Sequence, residues 1–385
     1  MSTELPSGDH PLAFVDLQAQ RRRLKGRIEA AMARVVEHGQ FIMGPEIFEL
    51  EQRLADFCGA KHVITCSSGT DAIAVILMAL GVKSGDAVIC PSFTFCATAE
   101  VVAWLGATPV FADVDEATFN IDPVSLRAAV EASRHLGLNP VGVIPVDLFG
   151  RPADYDSIET VAGNEGLWVL PDAAQSFGAR YRDRAVGTIG VATATSFFPA
   201  KPLGCYGDGG AVFTSDDELA ASIRSIRVHG QGAHKYDNER IGMAARMDTL
   251  QAAVLLEKLA IFPSEIVARQ RIAATYKRLL QGKVSVPQID DDCSSVWAQF
   301  TVKVTSDLRD GIQVALKADG IPTQVYYPRP LHQQTAYEGF PVAGNGLPVS
   351  DRLSQLVLSL PMHPYLTDEQ LNHVGVRLSA ALSAH

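Results

Sequence analysis

The chain has 385 residues, 47% of them hydrophobic and 20% charged, a balance that excludes long disordered spans and suits a globular enzyme with a sizeable core. Its formal net charge of -10 argues against a partner held by electrostatic attraction to nucleic acid. The longest apolar run, AIAVILMALGV at 72–82, falls short of the about 20 residues needed to cross a bilayer.

The first residues, MSTELPSGDHPLAF, carry neither a basic nor an apolar leader segment, so no signal peptide is read and a cytoplasmic location is expected. The six cysteines show no paired spacing, and several lie in apolar runs, as small core residues of a reducing compartment do. The basic run QRRRLKGR, Gln20 to Arg27, has helical periodicity and reads as a solvated helix face.

From residue 60 onward, strand-like runs alternate with helix-like segments. HVITC at 62–66 precedes a helix opening at Ser67–Asp71, and AVICP at 87–91 precedes the helical TFCATAEVVAWLG. TPVFADV at 108–114 precedes a helix after Asp122–Pro123. VGVIPVDL at 141–148 precedes a short helix, and LWVLPDAA at 167–174 follows it. These strands are apolar along their whole length, the pattern of strands buried on both faces of a mainly parallel sheet covered by helices.

Two further strands, in TATSFFP and GGAVFTS, flank a glycine-rich turn. The helix DDELAASIRSIRVHG follows, then a long helical stretch from Met247 to Leu280 interrupted near Phe262–Pro263. The last third reads as a smaller α/β unit: the strand WAQFTVKV, a helix to Gly320, the strands TQVYY and VLSLP, and a final helix from Thr367. The expected division falls near residue 260, into a large domain at 1–260 with an N-terminal arm at 1–35, and a small domain at 261–385.

In an open α/β sheet, ligands collect at the carboxyl ends of the strands. In CSSGTDA the amides of Gly69 and Thr70, the Thr70 hydroxyl and the helix dipole could hold a phosphate, although plain N-capping explains the same residues. P-loop spacing is missing, and nowhere does GxGxxG follow a strand and open a helix, which disfavours Walker-type and Rossmann sites. In LPDAAQSFGA, Asp172 ends a wholly apolar strand with no basic residue nearby in sequence. It either meets a remote cation, meets a protonated ligand nitrogen, or caps a helix.

Phe93 and Phe95 in PSFTFCATAE could stack on a heteroaromatic ring or fill the core. In SFFPAKPLGCYGDGGA, Lys201 follows the strand-ending Ser196. There it is either a desolvated nucleophilic amine or a surface lysine at a turn. A phosphate cradle, an aromatic face, a buried carboxylate and a lone lysine at neighbouring strand ends together describe a pyridoxal phosphate site, the carboxylate keeping the pyridine nitrogen protonated. His229 and His234 form no metal set with cysteines or carboxylates, and no metal is expected. His332 and His363 read as isolated polar residues, and no GxSxG elbow is present.

On these motifs, with FVDLQAQ, HGQFIMGPEIFELE, RMDTLQAA, YYPRPLHQQTAY and LSLPMHPYL, the sequence resembles the DegT/DnrJ/EryC1/StrS family of pyridoxal-phosphate sugar aminotransferases over nearly its whole length. The resemblance implies the fold-type I (aspartate aminotransferase-like) architecture and a homodimer whose sites are completed across the interface. By position it makes Lys201 the Schiff-base lysine and later the base of the proton shift, and Asp172 the pyridinium partner. Gln175 becomes a contact to the ring face or its phenolic oxygen, Phe95 the stacking residue, and Gly69, Thr70 and Ser196 phosphate ligands. Relatives that dehydrate carry histidine where this chain has Lys201, so the lysine favours transamination.

SFFPAKPLGCYGDGGA, HGQ and LSLPMHPYL are most similar to members that aminate the 3-keto carbon of UDP-linked N-acetylglucosaminuronate, using L-glutamate and releasing 2-oxoglutarate. Arg246 would then face the sugar's carboxylate from the other subunit, with Tyr326 and Tyr327 also at the substrate. Two departures stand out. The family usually places asparagine two residues before the arginine of RMD, reaching the partner's phosphate, whereas GMAARMD has Ala244 there. Histidine often precedes the tyrosine of the YP motif, where this chain has Tyr326–Tyr327. The rival expectations are a C4-aminating or dTDP/GDP-sugar member, a pyridoxal-phosphate dehydratase, and a non-enzymatic regulatory homologue. Neither a nucleic-acid nor a membrane partner is expected.

Overall fold

Near the start of the described chain the Asp16 carboxylate accepts the amide of Ala19 at 2.8 Å and caps α1 (Leu17–Leu24). The structure, a computed structural model, describes residues 12–383 except 235 and 345, so most of the segment read for a leader lies outside the described residues. The basic run falls on α1 and the start of α2 (Arg27–His38), where Arg21, Arg22 and Arg23 are exposed. Ile28, Ala31 and Val35 of α2 are buried against Ala253 and Val254. α3 (Pro45–Cys58) opens on a proline, whose fixed φ suits a first helical turn, and buries Ile47, Leu50 and Leu54.

The expected alternation then follows: β1 (His62–Cys66), α4 (Gly69–Ala79), β2 (Asp86–Pro91), α5 (Ala97–Trp104), β3 (Thr108–Ala112), α6 (Pro123–His135), β4 (Asn139–Val143), α7 (Tyr155–Glu165) and β5 (Trp168–Val169). Ser68, Asp122 and Asp154 cap α4, α6 and α7 by accepting amides of the first turn. A short ribbon follows, β6 (Arg180–Tyr181) and β7 (Arg184–Ala185), and then β8 (Thr193–Ser196) and β9 (Gly210–Thr214) flank the glycine-rich loop.

The strands β3-β2-β4-β5 pair in parallel, while β1-β9-β8 pair antiparallel. Asp172 joins the two groups through parallel bridges to Val146 and to Ala194. One sheet therefore runs β3-β2-β4-β5-β8-β9-β1, with β9 against its neighbours. Its interior is uniformly apolar, as the unalternating runs require: Val88, Ile89, Val110, Val143 and Val212 are fully buried.

Beyond the sheet come α8 (Asp217–Ile226), α9 (Thr249–Leu259) and α10 (Phe262–Leu280). Pro263 lies in the first turn of α10, so the expected interruption is a helix start. The last part holds β10 (Cys293–Ser294), β11 (Phe300–Lys303), α11 (Arg309–Ala318), α12 (Pro348–Leu356), β12 (Val357–Leu360) and α13 (Asp368–Ser383). A second core joins Ile272 and Tyr276 of α10 to Phe300, Leu316, Leu360 and Val374, whereas Leu331, Tyr337 and Leu347 pack into the first core.

TQVYY, expected as a strand, makes a single bridge, Gln324 to Ser359. Its aromatic rings leave the sheet: Tyr326 lies 6.2 Å from the Phe14 ring, and Tyr327 lies edge-on 6.2 Å from Phe93. Among the described residues no helix is long and apolar enough to cross a membrane.

His363 is buried (3% exposed) near Arg269 and Tyr365, and, as expected of an isolated polar residue, its two ring nitrogens have no hydrogen-bond partner among the described residues. Burial, with the Arg269 charge adding and Asp16 opposing, lowers its pKa to about 4 from 6.5. Between those values the unfolded chain binds a proton that the folded one refuses, so stability falls as pH drops from 6.5 towards 4. From pH 6.5 to 5 the wild type should lose about 1.5 kcal/mol that His363→Leu does not, measured by denaturant melts at the two pH values.

Candidate functional site

β1, β2, β5 and β8 end on the same edge of the sheet, and each hands the chain to a candidate residue. After β1, the Ser68 hydroxyl accepts Asp71 N at 3.0 Å, whereas the first two amides of α4, on Gly69 and Thr70, find no acceptor among the described residues. Ser67 donates its hydroxyl to the Asp71 carboxylate. A Cβ on Gly69 would stand 2.7 Å from the Cβ of Ser196, and one on Gly210 would stand 2.3 Å from the Ser68 carbonyl oxygen. Only glycine lets the positive end of α4 press onto the ends of β8 and β9, so free amides, a helix dipole and the Ser196 hydroxyl converge. That hydroxyl accepts Phe198 N at 3.2 Å.

Asp172 is 6% exposed and lies within the sheet. One carboxylate oxygen accepts the Thr98 hydroxyl at 2.8 Å, and the other accepts Ala174 N at 3.1 Å. Burial pushes its pKa up, while those two bonds and the charge of Lys201 pull it down. Lys201 is half-buried, and its backbone amide bonds Phe198 O at 2.8 Å. Burial holds its pKa below the usual lysine range, opposed by the Asp172 charge. The two groups feel each other's field without a direct ion pair, an arrangement that leaves the amine reactive and the carboxylate in want of a cation.

The two phenylalanines separate cleanly. Phe93 is fully buried, stacked 6.5 Å from Phe119, whereas Phe95 is 56% exposed and lies three residues before Thr98. Gln175 is buried: its Oε1 accepts Phe149 N at 2.6 Å, and its Nε2 donates to the Tyr327 hydroxyl at 3.4 Å. Burial and the Asp172 charge raise the Tyr327 phenol's pKa, so it stays protonated. Tyr326 is half-buried.

Arg246 is half-buried with no ion-pair partner among the described residues, and Ala244 is exposed. The Ser67 amide bonds Ala245 O at 3.1 Å, so this segment is tied to the edge of the cradle. The fold thus gathers Gly69, Thr70, Asp172, Gln175, Ser196, Lys201 and Tyr327 at one edge. It leaves the Arg246 guanidinium without an assigned contact.

Three supporting residues escaped the sequence reading. Thr98 was detectable as a hydroxyl in the first turn of a mostly apolar helix. Asp147 is buried beneath Asp172, accepts Tyr155 OH at 2.6 Å, Ser176 OH at 2.7 Å and Ala153 N at 2.8 Å, and has its pKa raised to about 6, chiefly by burial. His332, expected to be isolated, bonds Ser92 Oγ at 2.7 Å and pairs with Asp351 at 3.1 Å, fastening the segment after Tyr327 to the end of β2.

The profile of the DegT/DnrJ/EryC1/StrS aminotransferase family matches residues 22–379. The chain belongs to the DegT/DnrJ/EryC1/StrS aminotransferase family. It is 50% identical to the UDP-2-acetamido-2-deoxy-3-oxo-D-glucuronate aminotransferase of Pseudomonas aeruginosa over 96% of this chain and 99% of that protein. A DegT DnrJ EryC1 StrS aminotransferase from Brucella abortus superposes with a TM-score of 0.93 at 49% identity, covering 97% of this chain and 99% of the other. NtdA from Bacillus subtilis, solved with bound cofactor PMP, superposes with a TM-score of 0.88 at 29% identity, covering 99% of this chain and 87% of the other. The fold is therefore the fold-type I α/β architecture of these aminotransferases.

The cofactor of this aminotransferase family is pyridoxal 5'-phosphate, and the residues present fit it. The α4 cradle has free amides and no Cβ in the way, and Asp172 is a buried carboxylate suited to a ring cation. Gly69→Ala should cost about 1–3 kcal/mol of stability through overpacking against Ser196, with weaker cofactor retention, read by thermal melts and dialysis. Thr98→Val removes a hydrogen bond that favours the charged form, so the Asp172 pKa should rise. A pH titration of the cofactor's visible band then shifts its acid limb upward.

Proposed function

We propose that this aminotransferase moves an amino group from L-glutamate to the keto carbon of a nucleotide-linked sugar. The 3-keto group of UDP-N-acetylglucosaminuronate is the favoured acceptor. The observation that carries the reading is the half-buried Lys201 amine in the field of the buried Asp172 carboxylate, beside the α4 anion cradle. The 50% identity to the Pseudomonas aeruginosa enzyme, over nearly both full lengths, supports the choice of sugar.

Bound pyridoxal phosphate supplies a protonated pyridine ring that withdraws electrons from the carbon exchanging its amino group. Asp172 would keep the ring nitrogen protonated, because a charged partner is what its burial lacks. The Gly69 and Thr70 amides and the Ser196 hydroxyl would hold the phosphate, and Phe95, exposed at the edge, would offer its face to the ring. Gln175 and the protonated Tyr327 offer donors close to Asp172. Lys201 would be the covalent anchor and, once released, its Nζ would move a proton between the cofactor carbon and the sugar carbon, a task suited to an amine made less basic by burial.

A second copy of the chain completes the site in this reading. Phe41 and Ile42 are exposed, Phe41 O accepts Thr249 N at 2.8 Å, and Ile42 bridges Asp248, so an apolar surface adjoins Arg246. An interface on that surface carries Arg246 to the partner's substrate, where its unpaired guanidinium suits a sugar carboxylate. Ala244, exposed on the same segment, leaves the partner's phosphate without the amide that asparagine provides in relatives.

Incubation with nitrogen-15 glutamate and UDP-, dTDP- and GDP-keto sugars, followed by mass spectrometry, should yield a labelled amino sugar, with the UDP uronate preferred. A product without label overturns transamination in favour of dehydration. Lys201→Ala should lower turnover by at least about a hundredfold, while Arg246→Lys raises KM for the uronate more than it lowers kcat. Ala244→Asn should slow loss of the amine form of the cofactor about tenfold, measured by dialysis, as one added charge-assisted bond allows.

A further inference from the structure

Between β8 and β9 the chain loops out through residues 197–209 and carries Lys201 at its tip. The loop's own bonds close its base: Phe197 N donates to Gly209 O at 2.7 Å, and Cys205 N to Phe197 O at 2.8 Å. What lies beneath it is α9, and two side chains of that helix reach up. Lys258 is 1% exposed, and its Nζ donates to the carbonyl of Gly204 at 2.5 Å while sitting 4.4 Å from the centroid of the Tyr206 ring. Gln251, two turns earlier on the same face, accepts Tyr206 N on Oε1 at 2.8 Å. It lies so close that a Cβ on Gly207 would stand 2.9 Å from its Nε2.

A buried ammonium is costly unless bound, and Lys258 has no ion-pair partner among the described residues. Its compensation is the Gly204 carbonyl and the face of Tyr206. An apolar residue would avoid the cost of burying a charge but would leave that carbonyl without its donor. Gly204 is itself hemmed in, since a Cβ there would stand 2.5 Å from Pro199 O, so the backbone at this point cannot shift towards residues 198–199 to find another donor.

We propose that Lys258 and Gln251 are positioning residues that clamp residues 204–207 to α9 and so set where the Lys201 amine stands relative to Asp172. The inference rests on the reading of Lys201 as the residue that carries the cofactor.

The test uses the full-length protein with Lys258→Met. In the cofactor-free protein, hydrogen–deuterium exchange across residues 197–210 should rise about tenfold while exchange in β1 and α4 stays unchanged. Attachment of added pyridoxal phosphate to Lys201, trapped by borohydride and located by peptide mapping, should slow several-fold. Lys258→Arg, which keeps the cation, should restore part of both. A folded Lys258→Met protein with unchanged loop exchange and unchanged trapping rate overturns the clamp. If Lys258→Met does not fold, Gln251→Ala is read by the same two measurements and the same criteria. Trapping on a lysine other than Lys201 overturns the function proposed above, and the exchange data still decide the clamp.

Discussion

Asp172 is held inside the sheet, bridged on one side to Val146 and on the other to Ala194, where a carboxylate's charge is expensive. Much of the site can be understood as the set of groups that make that charge tolerable. Thr98 and the Ala174 amide each give one hydrogen bond, and Lys201 contributes a cationic field. A layer below, Asp147 gathers Tyr155, Ser176 and the Ala153 amide, and its own amide bonds Asp172 O at 3.1 Å. The carboxylate is thereby fixed in place yet left short of a full countercharge, the condition in which a cationic ring is bound strongly.

The anion side of the site rests on a different constraint, close backbone approach. α4 can point its first amides across the strand ends because Gly69 and Gly210 leave room that any side chain would fill. Position at the lysine side comes from a helix outside the sheet: α9 supports the loop from below through Lys258 and Gln251. Strand ends thus supply the chemistry, glycines the proximity, and the helix the rigidity. Each depends on the others, since a loose Lys201 loop would leave Asp172 without its steady field.

Much of this was legible in the residues themselves. The strands β1 to β4 were readable because runs such as AVICP and TPVFADV do not alternate, and the caps Ser68 and Asp122 mark where helices open. Asp172 and Lys201 were readable as polar residues at the ends of apolar runs. TQVYY misled because aromatic residues favour strands in general, whereas here Tyr326 and Tyr327 find ring partners in Phe14 and Phe93 off the sheet. Lys258, in LLEKLAIF, looks like an ordinary charged helix position. Its burial follows from a loop some fifty residues earlier in the chain. His332 appeared isolated for the same reason, with Ser92 lying 240 residues away.

The sequence by itself therefore determined the alternation of strand and helix, the edge at which ligands gather, and the residue types available there. These are properties of periodicity and capping, encoded within a few neighbouring positions. Only the tertiary structure decided that Phe95 is exposed while Phe93 is core, that Gln175 is tied to Tyr327, and that Asp172 and Lys201 share a field. Exposure, charge compensation and hydrogen-bond partnership depend on what the chain brings back from far away, and no local pattern carries that information.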